Sequence, residues 1–79
     1  MLTNDTAKLE NLVNEGLAHG RAVVKVCPIG LIRTSFYLNL TPQYTKNYKE
    51  VVDFCENHIK NRFKFELPYI IAEVNNTRL

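Results

Sequence analysis

Alternation of apolar and polar side chains is the feature that most constrains the fold of this 79-residue chain. It runs through residues 21–27 and again through residues 31–40. A period of two residues is typical of β-strands, because successive side chains point to opposite faces of a sheet. Pro28 and Gly30 lie between the two runs and fit a type I turn closed by a G1 bulge. The segment therefore predicts a β-hairpin.

A helical pattern precedes this hairpin. Apolar residues recur three and four positions apart, at Leu9, Leu12, Val13 and Leu17. They predict a helix over about residues 5–19, ended by Gly20, because Gly is common directly after a helix. Gly16 costs about 1 kcal/mol of helix propensity relative to Ala, which predicts a close approach of this helix to the sheet.

A second helical pattern follows the hairpin, over about residues 42–64, and Thr41 before Pro42 is typical of a helix N-terminus. Its apolar stripe consists of Tyr44, Tyr48, Val51, Val52, Cys55, Ile59 and Phe63. Residues 69–74 alternate once more and predict a third strand. The last residues, 75–79, are predicted to form a frayed tail.

These elements predict a single α+β domain over residues 1–79, with the order α-β-β-α-β. We expect a three-stranded mixed sheet in the order 2-1-3, because the Val-rich first strand is the most apolar and suits the centre. Both helices are expected on one face of the sheet. One helix on each face remains an alternative, since alternation alone cannot place the helices.

Charge and cysteine content narrow the class of protein. The net charge is +2, and residues 21–40 hold three basic side chains and no acidic one. The two cysteines fit a reduced compartment better than a disulfide framework. The first residues lack the basic and apolar regions of a signal peptide, and no apolar run is long enough for a membrane span. We therefore expect a cytoplasmic protein without a membrane partner.

Catalytic and metal-binding patterns are weak. Cys55 and His58 stand one helical turn apart, as a cysteine nucleophile and its base would require. The favoured interpretation is that Cys55 is a small core residue and His58 a boundary residue. Adding His19 and Cys27 gives the ligand count of a structural zinc site, but without two close pairs. We therefore expect neither an enzyme nor a bound metal, cofactor or small-molecule substrate.

A binding surface is predicted on the sheet face opposite the helices. If the helices cover the face of Val24, Phe36 and Ile70, cations and aromatic rings share the other face with aliphatic side chains. The predicted binding residues are Val23, Lys25, Arg33, Tyr37, Tyr69 and Ile71, with Arg62 and Lys64 at the end of the second helix.

This residue set suggests a small non-catalytic binding or regulatory protein that acts by protein–protein contact. Tyrosine, arginine and branched aliphatic residues are typical of protein interfaces. The contact is expected through the open face or an edge of the sheet, with another protein or with a second copy in a homodimer. The alternative is a nucleic-acid-binding protein that uses the same basic and aromatic residues to contact phosphates and bases.

Overall fold

The computed structural model describes residues 6–30, 33–63 and 68–79. Two helices and four strands follow one another as α1 (Thr6–Ala18), β1 (Ala22–Pro28), β2 (Phe36–Leu40), α2 (Tyr48–Phe63), β3 (Tyr69–Val74) and β4 (Thr77–Arg78). The predicted α+β class and the order of the predicted elements are confirmed. The fourth strand was not predicted.

The strands form one sheet in the order β2-β1-β3-β4, which confirms the predicted central position of the first strand. Each neighbouring pair is antiparallel. The prediction of a mixed sheet is therefore wrong. β2 and β3 run in the same direction, but β1 separates them, so no parallel pair forms.

Both helices pack on the same face of the sheet and build one hydrophobic core. The helices contribute Leu9, Val13, Leu17, Val51, Cys55 and Ile59, and the strands contribute Ala22, Val24, Val26, Leu38, Leu40, Tyr69, Ile71 and Val74. Burying one Val, Leu or Ile side chain contributes about 1.5–3 kcal/mol to the free energy of folding. Neither α1 nor α2 covers the other face of the sheet, and the described residues place no further helix there.

Helix α1 ends in a Schellman motif at Gly20, whose φ of 106° is accessible to glycine at little cost. The Gly20 amide donates to the Leu17 carbonyl, and the Arg21 amide donates to the Gly16 carbonyl at 2.9 Å. A Cβ atom at Gly16 would overlap the side-chain amide of Asn75 and lie 3.0 Å from the Arg21 carbonyl oxygen. The predicted close approach at Gly16 is therefore confirmed.

The connection between β1 and β2 is longer than the predicted turn. Pairing between these strands stops at Val26 and Phe36, and β1 continues alongside β3 as far as Pro28. Pro28 has no backbone N–H group to donate to a neighbouring strand, which favours an end to the pairing of β1 near this residue. Gly30 has a φ of 94° and Arg33 a φ of 60°, so neither continues an extended strand.

Helix α2 begins at Tyr48, and the predicted start at Pro42 is wrong. The chain first makes a turn in which the Thr45 amide donates to the Thr41 carbonyl at 2.9 Å. Asn47 then caps the helix, because its Oδ1 accepts from the Glu50 amide at 3.1 Å. The missed signal is Asn47 three residues before Glu50, a spacing close to that of a capping box.

The predicted tail forms a hairpin instead of fraying. Asn75 and Asn76 have φ values of 51° and 68° and join Val74 to its partner Thr77. Positive φ at both central residues is the requirement of a type I′ turn, which asparagine tolerates better than most residues. β4 follows this turn, and the Leu79 amide donates to the Ala72 carbonyl at 3.0 Å.

Candidate functional site

A row of four side chains crosses the sheet on the face without helices. The strand register places Tyr37 opposite Lys25, Lys25 opposite Glu73, and Glu73 opposite Arg78. Paired residues of neighbouring strands point to the same face of a sheet. We call this side the open face, and its side chains on the three longer strands are Val23, Lys25, Cys27, Tyr37, Asn39, Ile70 and Glu73.

Three members of this row interact through one carboxylate oxygen. The Tyr37 hydroxyl donates to Glu73 Oε2 at 3.0 Å, and Lys25 Nζ lies 3.7 Å from the same oxygen. Lys25 Nζ is also 5.9 Å from the centroid of the Tyr37 ring. The hydrogen bond to Glu73 is the main reason that the pKa of Tyr37 is raised above its ordinary value. The Lys25 charge is therefore balanced within the open face.

Apolar surface accompanies this row. The Tyr37 side chain is 56% exposed and Ile70 is 42% exposed, whereas Val23 and Cys27 are half-buried. Ile70 lies opposite Cys27 in the strand register, one row away from Lys25. The open face thus combines an aromatic ring, an aliphatic patch and a neutralised charge pair.

Tyr69 and Ile71 do not belong to this surface, so their predicted place on the open face is wrong. Both are buried under the helices, at 5% and 2% exposure. The Tyr69 hydroxyl donates to the Val52 carbonyl at 3.4 Å, and burial raises its pKa. Both side chains are therefore part of the hydrophobic core.

A β-bulge is the reason for this difference. Lys25 pairs with Glu73 and the next residue, Val26, pairs with Ile71, so Ala72 has no partner on β1. Strict alternation along β3 is interrupted at that residue. Ile70 consequently lies on the open face, where alternation alone did not predict it.

The remaining predicted cations lie apart from the row. Arg33 is exposed in the connection before β2, and its φ of 60° excludes it from the strand. The Arg62 guanidinium carbon lies 5.6 Å from the ring centroid of Phe36, on the helix side of the sheet. Lys64 lies outside the described residues. The predicted basic surface is therefore divided between separate parts of the molecule.

Cys55 and His58 do not form a nucleophile–base pair. Cys55 is fully buried, and desolvation raises the pKa of its thiol to about 12. A neutral, buried thiol is inert as a nucleophile near pH 7. The His58 ring instead packs between two aromatic rings, with centroid distances of 4.9 Å to Phe36 and 6.3 Å to Phe54.

The described residues contain neither a cluster of metal ligands nor a helix that could span a membrane. Within residues 6–30, 33–63 and 68–79, no group of three or more His, Cys, Asp or Glu side chains could hold a metal ion. In the same ranges, neither helix combines the length and the hydropathy that crossing a bilayer requires.

Comparison with known proteins adds no relative: no protein-family model, no curated protein and no solved structure matches this chain. The arrangement of the residues themselves must therefore support any functional proposal.

Proposed function

We propose that this chain is a small non-catalytic protein that binds another protein through its open face. The observation that carries the proposal is the pairing of Lys25 with Glu73 beside the exposed side chains of Tyr37 and Ile70. A surface with compensated charge and exposed aromatic and aliphatic groups suits a protein partner of mixed polarity. A polyanion would gain little from such a surface.

Tyr37 supports the proposal because its ring is already held in place. The hydroxyl bonds to Glu73 and the ring lies beside Lys25 Nζ, so fewer rotamers are lost when a partner covers it. Tyrosine is also one of the residues in which interface binding energy is concentrated. Truncating such an anchor typically costs about 2 kcal/mol or more of binding free energy.

Nucleic-acid binding is the second candidate, and exposed Arg33 and Arg62 favour it. Aromatic rings near cations can stack bases and pair phosphates. However, the Glu73 carboxylate lies in the same row as Lys25 and Tyr37 and would repel a phosphate there. Arg62 contacts Phe36 on the opposite side of the sheet from this row. These two features make protein the favoured partner.

Capture experiments with the tagged full chain test the proposal. Extract from the native source is treated with nuclease, and captured proteins are compared between wild type, Tyr37→Ala and Ile70→Asp. Tyr44→Ala is the matched control, because Tyr44 is 80% exposed but lies in the turn before α2. We expect the same protein to be captured by wild type and Tyr44→Ala and lost from both open-face variants. Circular dichroism confirms that each variant is folded.

Two results would contradict the proposal. One is equal capture by all four proteins, which would exclude the open face. The other is capture that disappears with nuclease, together with oligonucleotide binding that weakens steeply as salt rises, which would identify the nucleic-acid alternative.

A further inference from the structure

We infer that two copies of this chain associate face to face through the open face, with β1 of each copy over β3 of the other. The inference rests on the proposed function, because it names a second copy as a partner of the same surface. β1 and β3 are the two central strands of the sheet. A two-fold axis that runs along the strands, between β1 and β3, therefore places each half of one sheet over the opposite half of the other. The strands of the two sheets then stay nearly aligned, as in sheets that pack face to face.

The charged row of the open face is complementary to itself about this axis. In order across the sheet, the row consists of Tyr37, Lys25, Glu73 and Arg78. The axis reverses that order, so Lys25 of each copy lies opposite Glu73 of the other. Arg78 of each copy lies opposite the Tyr37 ring of the other, which suits a contact between a cation and an aromatic face. This reciprocity is what an interface across a two-fold axis requires.

Other two-fold axes in the plane of the interface do not give this match. An axis along the row would set Lys25 against Lys25 and Glu73 against Glu73. An axis along the strands but centred on β3 would set Glu73 against Glu73 and Lys25 against Arg78. An axis centred on β1 would set Lys25 against Lys25. Like charges opposite each other weaken association, so the row selects the axis between β1 and β3.

The neighbouring row of side chains agrees with the same axis. Cys27 and Ile70 are opposite each other on β1 and β3. The axis therefore sets Cys27 of each copy against Ile70 of the other. Ile70 is 42% exposed, and this contact removes apolar surface from water on both copies.

The charges at the centre of the row have already lost much of their hydration. The side chains of Lys25 and Glu73 are 30% and 20% exposed, and their charged atoms lie 3.7 Å apart. Covering a charge is most costly when the charge loses water and gains no partner. In the face-to-face dimer, each of these charges keeps its own partner and gains a second one of opposite sign.

The open face is small, so we expect a reversible dimer. Four strands at about 4.8 Å and five residues of β1 at about 3.3 Å span roughly 19 Å by 17 Å. Stable specific interfaces bury about 800 Å² on each partner, which is more than a face of these dimensions offers. We therefore expect a dissociation constant on the order of 100 µM.

Charge reversal at the centre of the row tests this inference. Sedimentation equilibrium of the full chain is compared for wild type, Lys25→Glu and Glu73→Lys. Each single variant sets like charges opposite each other at both central contacts, so we expect its dimer to weaken about tenfold or more. In a mixture, the glutamates of one variant lie opposite the lysines of the other. We expect a heterodimer at least as tight as the wild-type dimer.

Matched variants on α2 separate this contact from the effect of net charge. Lys49→Glu and Glu56→Lys make the same charge changes at exposed positions of the helix. Both should dimerise as wild type does, and mixing them should change nothing. Circular dichroism checks that each variant is folded. Arg78→Glu leaves the Lys25–Glu73 pair intact and serves if a central reversal unfolds the chain, with an expected weakening of about fivefold.

Three results would overturn the inference. The first is a wild-type chain that stays monomeric up to about 1 mM. The proposed function would survive that result if Tyr37→Ala and Ile70→Asp still lost the protein captured from extract. The second is a dimer that the open-face variants weaken no more than the α2 variants do. The third is a mixture of folded Lys25→Glu and Glu73→Lys chains in which no heterodimer forms.

Discussion

The two edges of the sheet are built in opposite ways. At the β4 edge, the strand is two residues long and follows a tight turn whose first residue, Asn75, is tied to both α1 and β1. At the β2 edge, an uncharged strand of five residues lies beside aromatic rings that remain partly exposed. The difference is that side-chain hydrogen bonds tie the β4 edge to the rest of the fold, whereas aromatic packing against α2 covers part of the β2 edge.

Asn75 shows how the β4 edge is fixed. Its side-chain oxygen accepts from the Val23 amide at 3.0 Å, and its side-chain nitrogen donates to the Leu12 carbonyl at 2.8 Å. Its backbone amide also donates to the Val23 carbonyl at 2.8 Å. One residue thus connects α1, β1 and the end of β3, and only glycine at position 16 leaves room for it.

Replacing Asn75 is expected to have the largest effect on stability. Asn75→Ala removes both side-chain hydrogen bonds and places alanine at a φ of 51°, so we expect a loss of about 2–4 kcal/mol in the free energy of unfolding. Asn75→Gly is the matched control, because it loses the same bonds without the backbone penalty. We expect it to be more stable than Asn75→Ala by about 1 kcal/mol in urea denaturation. If Asn75→Ala were as stable as wild type, the β4 edge would not be the rigid one.

Replacing Phe54, which stacks on His58 near the β2 edge, should have a smaller effect on stability than replacing a core residue of the same helix. The ring is 40% exposed, so we expect Phe54→Ala to cost less than about 1 kcal/mol of unfolding free energy. Val51→Ala, at a fully buried position of the same helix, should cost roughly 2 kcal/mol. Urea denaturation of the two variants would show the contrast. A greater loss for Phe54→Ala than for Val51→Ala would mean that this flank is part of the core.

The smallest effect on stability is expected from removing the hydrogen bond between Tyr37 and Glu73. Tyr37 on β2 reaches across β1 to Glu73 on β3, and Tyr37→Phe should change the unfolding free energy less than any of the substitutions above, because the side chain is exposed. The same contact raises the pKa of Tyr37. Glu73→Gln should therefore lower that pKa toward its ordinary value, as measured by NMR titration of the tyrosine rings. An unchanged pKa would show that the hydrogen bond does not persist in solution.

The strand order could be predicted because the most apolar strand, β1, belongs at the centre. The faces of β1 and β2 also follow from alternation, since Val24 and Leu38 are buried and Lys25 and Tyr37 are not. On β3, alternation sorts the residues into two faces but does not say which face is buried. The bulge at Ala72 also interrupts the alternation itself. Ile70 therefore could not be assigned to the open face from the sequence.

Two local predictions were wrong, at the start of α2 and at the tail, because the sequence signals there were ambiguous or weak. Thr41 and Asn47 are both suitable N-caps, and the helix uses the second, where Glu50 supplies an additional bond. Asn75 and Asn76 can form a type I′ turn, although Asn-Gly is the stronger signal for it. Asn-Asn is therefore too weak a signal to distinguish a hairpin from a frayed tail.

The contacts of Asn75 also determine when the protein can complete its fold during synthesis. Leu12 and Val23 precede Asn75 by 63 and 52 residues, so the ribosome takes roughly 3–13 s to add the intervening chain at about 5–20 residues per second. During that interval α1 lacks the amide that fixes it to the sheet. β1 meanwhile has an unpaired edge where β3 will later bind, and such an edge can pair with other chains. The nascent protein is therefore most exposed to aggregation before β3 is made.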